Sequence, residues 1–165
     1  MSEFRHYRPD NFPPIVKNLM IINVLVFLAQ TIFENQYALT ARLAMWPVDS
    51  PFFRPYQIVT HMFSHGSIGH IFFNMFALWM FGKTLENVWG GKRFLLFYLI
   101  CGIGAAAGHL AVEYLMGGTA PAVGASGAVM GVLVGFAYLF PNTELFILFI
   151  PFPLKQNGPP LVMLP

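Results

Sequence analysis

The stretch Gly124-Ala125-Ser126-Gly127 places one small hydroxyl between glycines, at the start of an apolar run from Ala125 to Phe140. The run predicts a helix that Pro141 ends, because proline cannot continue a helix. Serine suits a first helical turn, where unpaired N–H groups and partial positive charge favour a hydroxyl that loses its proton. At 1.5 Å per residue this helix is about 23 Å long, which is shorter than the roughly 30 Å of a bilayer core.

The composition of the chain is that of a membrane protein. Of its 165 residues, 56% are hydrophobic and 10% are charged, and the mean hydropathy is +0.61, whereas soluble domains carry about 25% charged residues. The formal net charge of +2 is too small and too dispersed to indicate nucleic-acid binding. In a bilayer the short serine helix begins beneath one surface. We therefore expect a wet pocket around Ser126, because irregular backbone at that depth must be buried in protein or face water.

Four hydrophobic segments predict an all-α membrane protein with one domain over 15–155, between a polar lead (1–14) and a non-periodic tail (156–165). The predicted helices are 15–33, 68–89, 94–116 and 125–140. The loop 34–67 is rich in aromatic residues and proline, so we expect it to lie at the headgroup level with short helical pieces. Gly127, Gly131 and Gly135 form a stripe that predicts close packing against a neighbouring helix.

The basic residues predict the orientation. Seven of the nine lysines and arginines fall on one side of a four-span arrangement, and positive charge marks the cytoplasmic side. We therefore expect a multi-pass protein of a bacterial inner membrane, with its N-terminus in the cytoplasm and Ser126 opening outward. The lone Cys101 is expected to serve packing.

A cluster of polar side chains precedes and enters the second segment, as His61, His65, His70 and Asn74. His70 and Asn74 are one turn apart on one helix face. Asn74 lies about 10 Å into its helix, a depth similar to that expected for Ser126. A serine hydroxyl that attacks a carbonyl, beside two donors that hold the oxyanion, is the arrangement of acyl transfer.

The same residues admit structural roles. His70 and Asn74 can form interhelical hydrogen bonds. His61 and His65 can cap or fix the loop, or bind zinc as two histidines four residues apart. No cysteine or carboxylate lies nearby in the sequence to complete a metal site, so metal binding is disfavoured. Farther along, His109 and Glu113 share one face of the third segment and are expected to pair with each other.

Taken together, three motifs resemble the rhomboid family of intramembrane serine proteases: His61-x3-His65-x4-His70-x3-Asn74, Gly82-x3-Glu86, and Gly124-Ala125-Ser126-Gly127. The resemblance runs from the first segment to about Lys155. It implies a bundle of six helices, of which four are predicted here, and cleavage of transmembrane protein substrates in the lipid bilayer without metal or cofactor. Ser126 would be the nucleophile. His70 and Asn74, with the Ser126 backbone N–H, would form the oxyanion hole. Gly124, Gly127, His61, His65 and Glu86 would support them.

The chain departs from the family pattern at three places. Tyr56-Gln57 stands where the family often has Trp-Arg, so anchoring of the loop is expected to differ. Met130 stands where some members have a tyrosine that packs on the catalytic histidine. The family's general base, a histidine in the sixth helix, has no counterpart, and the sequence is therefore interpreted as truncated after the fourth helix. Without the last two helices the glycine stripe is also expected to lose a partner.

Three hypotheses follow from that difference. The chain is an enzyme if a longer chain or another subunit supplies the missing histidine. It is a non-catalytic module if it holds transmembrane clients in the same groove without cutting them. It is a non-functional truncation product if it fails to accumulate in membranes. The sequence does not indicate an oligomeric state.

Overall fold

A computed structural model of the chain describes residues 10–141. The α-helices in that range are α1 (Pro14–Tyr37), α2 (Leu39–Leu43), α3 (Gln57–Thr60), α4 (Ile68–Ala77), α5 (Lys83–Trp89), α6 (Gly91–Met116) and α7 (Ser126–Leu139). A 3-10 turn, His61–Phe63, follows α3, and a π-helical turn, Leu78–Gly82, joins α4 to α5 as one helical rod. The predicted tail 156–165 lies outside the described residues.

Two helices are long and apolar enough to cross a membrane. These are α1, with 24 residues, and α6, with 26 residues, and at 1.5 Å per residue they measure about 36 and 39 Å. Pro14 opens α1 in its first turn, where its missing N–H costs nothing. The helix runs four residues past the predicted end. It stops at Ala38, which adopts a left-handed conformation and donates its N–H to the Glu34 carbonyl.

The glycine stripe of α7 packs against α6. Its three members meet residues of α6 at matching four-residue intervals, with Gly127 against Ala105, Gly131 against Cys101 and Gly135 against Phe97. A β-carbon built on Gly131 would lie 2.5 Å from the Cys101 Cβ, so the helices touch backbone to side chain. The expectation that the stripe loses a partner without further helices is therefore wrong, because the third span itself supplies it.

Apolar side chains lie both inside and outside this bundle. Leu78, Leu85, Phe94, Tyr98 and Val132 are fully buried between the helices. Other large apolar side chains face outward and are exposed, among them Leu25, Ile32, Phe73, Ile100 and Val134. A surface of this kind is stable only against hydrocarbon, so the described bundle has the surface of a membrane-embedded fold.

The buried carboxylate of Glu86 holds the start of α1. Its two oxygens accept the backbone N–H groups of Ile15 and Val16, at 2.9 and 2.7 Å. The first N–H groups of a helix have no partner within the helix and carry partial positive charge, so a carboxylate satisfies both needs. The nearby Gly82 leaves room for this contact, because a β-carbon there would lie 3.1 Å from the Val16 side chain. The Gly82-x3-Glu86 motif thus joins α5 to α1.

Candidate active site

Ser126 is the first residue of α7. The preceding residue, Ala125, is buried, and its carbonyl accepts the first helical N–H, that of Val129, at 2.9 Å. Ser126 itself is exposed, and no side chain caps the N-terminus of this helix. The sequence predicts a wet pocket around Ser126. Within the described residues the serine instead lies at an exposed position and not in an enclosed pocket. Its hydroxyl stands beside the unpaired N–H groups of the first turn.

Gly124 brings the serine next to His70. Its φ of 118° lies in a region that side-chain-bearing residues rarely adopt. A β-carbon at this position would lie 2.5 Å from Cε1 and 2.6 Å from Nε2 of His70, and 3.6 Å from the Ser126 Oγ. The imidazole and the hydroxyl thus converge on one point, which only glycine leaves open.

His70 and Asn74 lie on α4, one turn apart. Ser67 caps this helix, because its Oγ accepts the His70 backbone N–H at 3.1 Å. Asn74 is only 6% exposed, and its amide nitrogen has no hydrogen-bond partner among the described residues. Buried donors are almost always satisfied, so a free amide here needs an acceptor from outside the described chain. The helix that carries it packs against α7.

The loop before the serine is tied to the long first loop by three backbone hydrogen bonds. Met45 and Ala122 exchange N–H···O bonds of 2.9 Å in an isolated antiparallel bridge. The Gly124 N–H donates to the His61 carbonyl at 2.8 Å. The position of Ser126 therefore depends on the loop as well as on the helices.

The two upstream histidines differ in their contacts: the His61 ring is hydrogen-bonded within the long loop, and the His65 ring packs on His70. The Nδ1 of His61 lies 2.9 Å from the Gln57 carbonyl, and its own carbonyl holds Gly124. His65 packs edge-on against His70, with ring centroids 5.0 Å apart. Burial lowers the pKa of His65 to about 4, and the neighbouring His70 adds to that shift. Burial also lowers the pKa of His61, against the hydrogen bond to the Gln57 carbonyl and together with the charge of His109.

Gln30, which the sequence analysis did not single out, organises the junction of α1 with the loop. Its amide nitrogen donates to the hydroxyls of Thr40 and Ser64, at 2.9 and 2.8 Å, and its carbonyl oxygen accepts the His65 N–H at 3.0 Å. Gln30 is buried in α1, as is Asn23 about two turns earlier in the helix. An amide inside an apolar stretch of a span is the signal that could have marked Gln30, since buried amides require partners.

Gln57 anchors the long loop in place of the family's usual arginine. It is buried, and its amide nitrogen donates to the Arg42 and Phe52 carbonyls, while its oxygen accepts the Arg54 N–H at 3.0 Å. The neighbouring Tyr56 is exposed. One amide thus ties together three backbone positions of the loop, those of Arg42, Phe52 and Arg54. Met130, one turn after the serine, is 59% exposed and leaves the serine side of α7 open.

His109 and Glu113 do not pair, contrary to the prediction. His109 Nε2 and Glu113 Oε2 are buried atoms without a hydrogen-bond partner in the described range. The carboxylate instead lies against Gly118, just after α6, while His109 approaches His61. Among residues 10–141, no group of three His, Cys, Asp or Glu side chains is arranged to hold a metal ion.

Comparison with known proteins agrees with the motifs. The family model described as "Rhomboid domain" matches residues 53–164. The human presenilin-associated rhomboid-like protein, mitochondrial, is 30% identical over 136 residues, which are 82% of this chain and 35% of that protein. Rhomboid protein 1, mitochondrial, of Saccharomyces cerevisiae is 36% identical over 99 residues, or 59% of this chain and 29% of that protein.

A bacterial relative shows the same likeness. The rhomboid protease GluP of Bacillus subtilis is 36% identical over 94 residues, or 56% of this chain and 17% of that protein. The chain thus spans about a third or less of the length of these relatives. The matched domain and the apolar helices make it a multi-pass integral membrane protein. The chain belongs to the rhomboid family.

Proposed function

We propose that this chain carries the nucleophile and the oxyanion donors of a serine-type intramembrane endopeptidase that cleaves transmembrane protein substrates. Ser126 is the nucleophile. The His70 and Asn74 side chains, with the Ser126 backbone N–H, hold the developing oxyanion. The hydroxyl attacks the scissile carbonyl, and the C–N bond then breaks as the amine fragment leaves with the serine's proton. Water later hydrolyses the acyl-enzyme, which releases the carboxylic acid fragment and restores the hydroxyl.

The observation that carries this proposal is the convergence of Ser126 and His70 on Gly124. A substrate carbonyl placed beside the Ser126 hydroxyl would therefore also lie beside the His70 imidazole. The free amide of Asn74 lies one turn deeper on the same helix. Donors already held in place by packing cost no reorganisation during reaction, which is why such sites lower barriers.

The general base is the group this site lacks. The histidines of the sequence are His6, His61, His65, His70 and His109, so none follows the serine. His70 is assigned to the oxyanion, the His61 ring is hydrogen-bonded within the long loop, and the His65 ring packs on His70. A serine without a base is a weak nucleophile. We therefore expect residues 1–165 alone to show little cleavage and to need a histidine supplied in a longer chain or by another subunit.

The site also suits a non-catalytic module that holds transmembrane clients without cutting them. The human and yeast proteins are mitochondrial by name and GluP is from a bacterium, so the expected bacterial inner membrane lacks support.

The test is cleavage of a model transmembrane substrate in proteoliposomes by the product of the longest reading frame and by Met1–Pro165 alone. We expect cleavage only by the longer product. Ser126→Ala should reduce it at least about a thousandfold, because the nucleophile is lost. Ser50→Ala, which alters a loop serine away from the site, should not change it.

Labelling by a serine-reactive phosphonate separates the two functions. Equal cleavage by Ser126→Ala and the parent would reject Ser126 as nucleophile. Clients that co-purify with both Met1–Pro165 and its Ser126→Ala variant, without cleavage or labelling in any reading frame, would instead assign the chain to the binding class.

A further inference from the structure

An apolar cleft runs between α1 and α4, on the outside of the bundle. Its volume is about 590 Å³. The α1 side is formed by Met20, Val24, Phe27 and Leu28, and the α4 side by Ile68, Ile71, Phe72, Met75 and Phe76. None of these side chains bears a polar group. An occupant therefore gains by burying hydrocarbon and needs no hydrogen bonds along the cleft.

One end of the cleft is closed by aromatic rings. Phe12 stacks on Trp79 with ring centroids 6.0 Å apart. The Trp79 indole N–H donates to the Asn11 carbonyl at 3.3 Å, so it offers nothing to the cleft. Aromatic side chains of this kind mark the interface between hydrocarbon and water. The long axis of the cleft thus follows α4 from the Trp79 end to the start of the helix at Ile68.

Positive charge flanks the same end. The Lys83 ammonium lies 4.1 Å from the centre of the Trp79 ring. Lys17 lines an adjoining groove that shares Phe12, Met20 and Val24 with the cleft. Neither lysine forms an ion pair among the described residues. The cleft therefore combines an apolar channel with two cations at its interfacial end, which is the complement of an anionic amphiphile.

We propose that this cleft is a binding site for an anionic phospholipid. One acyl chain lies along α1 and α4, between Met20 and Phe72, and the headgroup phosphate lies between Lys17 and Lys83. The site is on the outer surface of α1 and α4, and its headgroup end lies at Trp79, nine residues along the chain from His70. The proposal does not depend on catalysis, so it stands or falls separately from the proposed protease activity.

Native mass spectrometry of Met1–Pro165 released from nanodiscs tests the proposal. The nanodiscs contain equal amounts of phosphatidylglycerol and phosphatidylcholine with the same acyl chains. We expect retained lipid to be mainly phosphatidylglycerol. Lys17→Gln with Lys83→Gln should weaken its retention about 25-fold, at about fivefold for each cation near the surface.

Two matched variants sharpen the result. Lys92→Gln with Arg93→Gln removes the same charge from exposed positions at the start of α6, and it should leave retention unchanged. Val24→Trp, which fills the cleft, should reduce retention of both lipids while both lysines remain. Equal loss in the two charge variants, equal retention of the two lipids by the parent, or occupancy of the cleft by a second copy of the chain in cross-linking would each overturn the proposal.

Discussion

At the scale of single residues, the site depends on one glycine between two functional side chains. Gly124 combines a backbone conformation that only glycine adopts readily with a space that His70 fills. The two demands are separable, because Gly117 also has a positive φ, of 65°, but has no neighbouring atom within 4 Å of a β-carbon. This pair of glycines distinguishes backbone strain from steric contact with the imidazole.

Gly124→Ala should remove activity out of proportion to its effect on stability. The new methyl group displaces the ring of His70, the proposed oxyanion donor, and loss of one such donor typically costs about 10²- to 10³-fold in rate. Strain at the positive φ adds about 1–3 kcal/mol of destabilisation. The measurements are substrate cleavage by the longest reading frame and thermal unfolding in detergent.

Gly117→Ala serves as the control for that substitution. It carries a similar backbone cost of about 1–2 kcal/mol without the contact, so its cleavage rate should stay within a few-fold of the parent. If the two alanine variants lost activity equally, the contact with His70 would not be what matters at Gly124.

Residues were predictable from the sequence where a motif fixes their spacing. The pairing of His70 with the serine loop follows from such spacing, and the structure places them together. The roles of Gln30 and Gln57 were not predictable, because each amide is defined by distant backbone groups. The predicted pairing of His109 with Glu113 is wrong for a related reason, because contacts outside the helix decide where each side chain lies. Helical spacing shows that two side chains share a face, but the neighbouring turn decides where each one points.

At the scale of elements, the contact between α6 and α7 holds the serine helix in the bundle. The glycines of α7 let its backbone approach Ala105, Cys101 and Phe97 on α6. The sequence predicted such a contact but not its partner, because a stripe of small residues shows how close a neighbour lies and not which helix it is. The π turn between α4 and α5 was likewise unpredicted, since the apolar pattern continues through it.

Gly131→Leu should separate these helices. Its β-carbon alone would meet the Cys101 Cβ at 2.5 Å, and overpacking of this kind costs about 3 kcal/mol. Unfolding by SDS in mixed micelles measures the loss. Gly104→Leu is the control, because Gly104 lies on α6 with no atom within 4 Å of a β-carbon. That variant should be neutral or slightly stabilising, because leucine is a better helix former than glycine. An equal loss in both would show that the contact with Cys101 is not the cause.

At the scale of the whole molecule, the helices present an apolar outer surface, and the long loop contacts the serine loop at one end of the bundle. The sequence predicted the all-α membrane fold, because composition and segment length report directly on the surrounding solvent. It could not predict how the long loop closes over the serine loop. That arrangement depends on contacts between segments about 80 residues apart, as in the Met45–Ala122 bridge.

Acidification should destabilise the folded chain through the buried loop histidines. The pKa of His65 is about 4 when folded, against about 6.5 for an unfolded histidine. The unfolded chain therefore takes up the proton first, and stability falls as the pH drops from about 6.5 to about 4. The contribution is at most about 3–4 kcal/mol, at 1.36 kcal/mol for each pKa unit. The lowered pKa of His61 acts in the same direction.

Thermal unfolding in detergent between pH 4 and 9 checks this expectation. The curve should be flat above about pH 7.5 and should decline below about pH 6.5. His65→Gln, which cannot titrate, should make the decline shallower. A decline of the same steepness in that variant would assign the acid sensitivity to other groups.

The bridge between Met45 and Ala122 links the outer loop to the segment that leads to Ser126, the proposed nucleophile. Ala122 stands four residues ahead of Ser126, and among residues 10–141 its backbone ladder contact is with Met45 alone. An antibody fragment that binds residues 46–56 and displaces them outward would also displace residues 122–125, which lead to the serine. Such a reagent would move the Ser126 hydroxyl away from His70 and lower any cleavage rate without competing with a substrate.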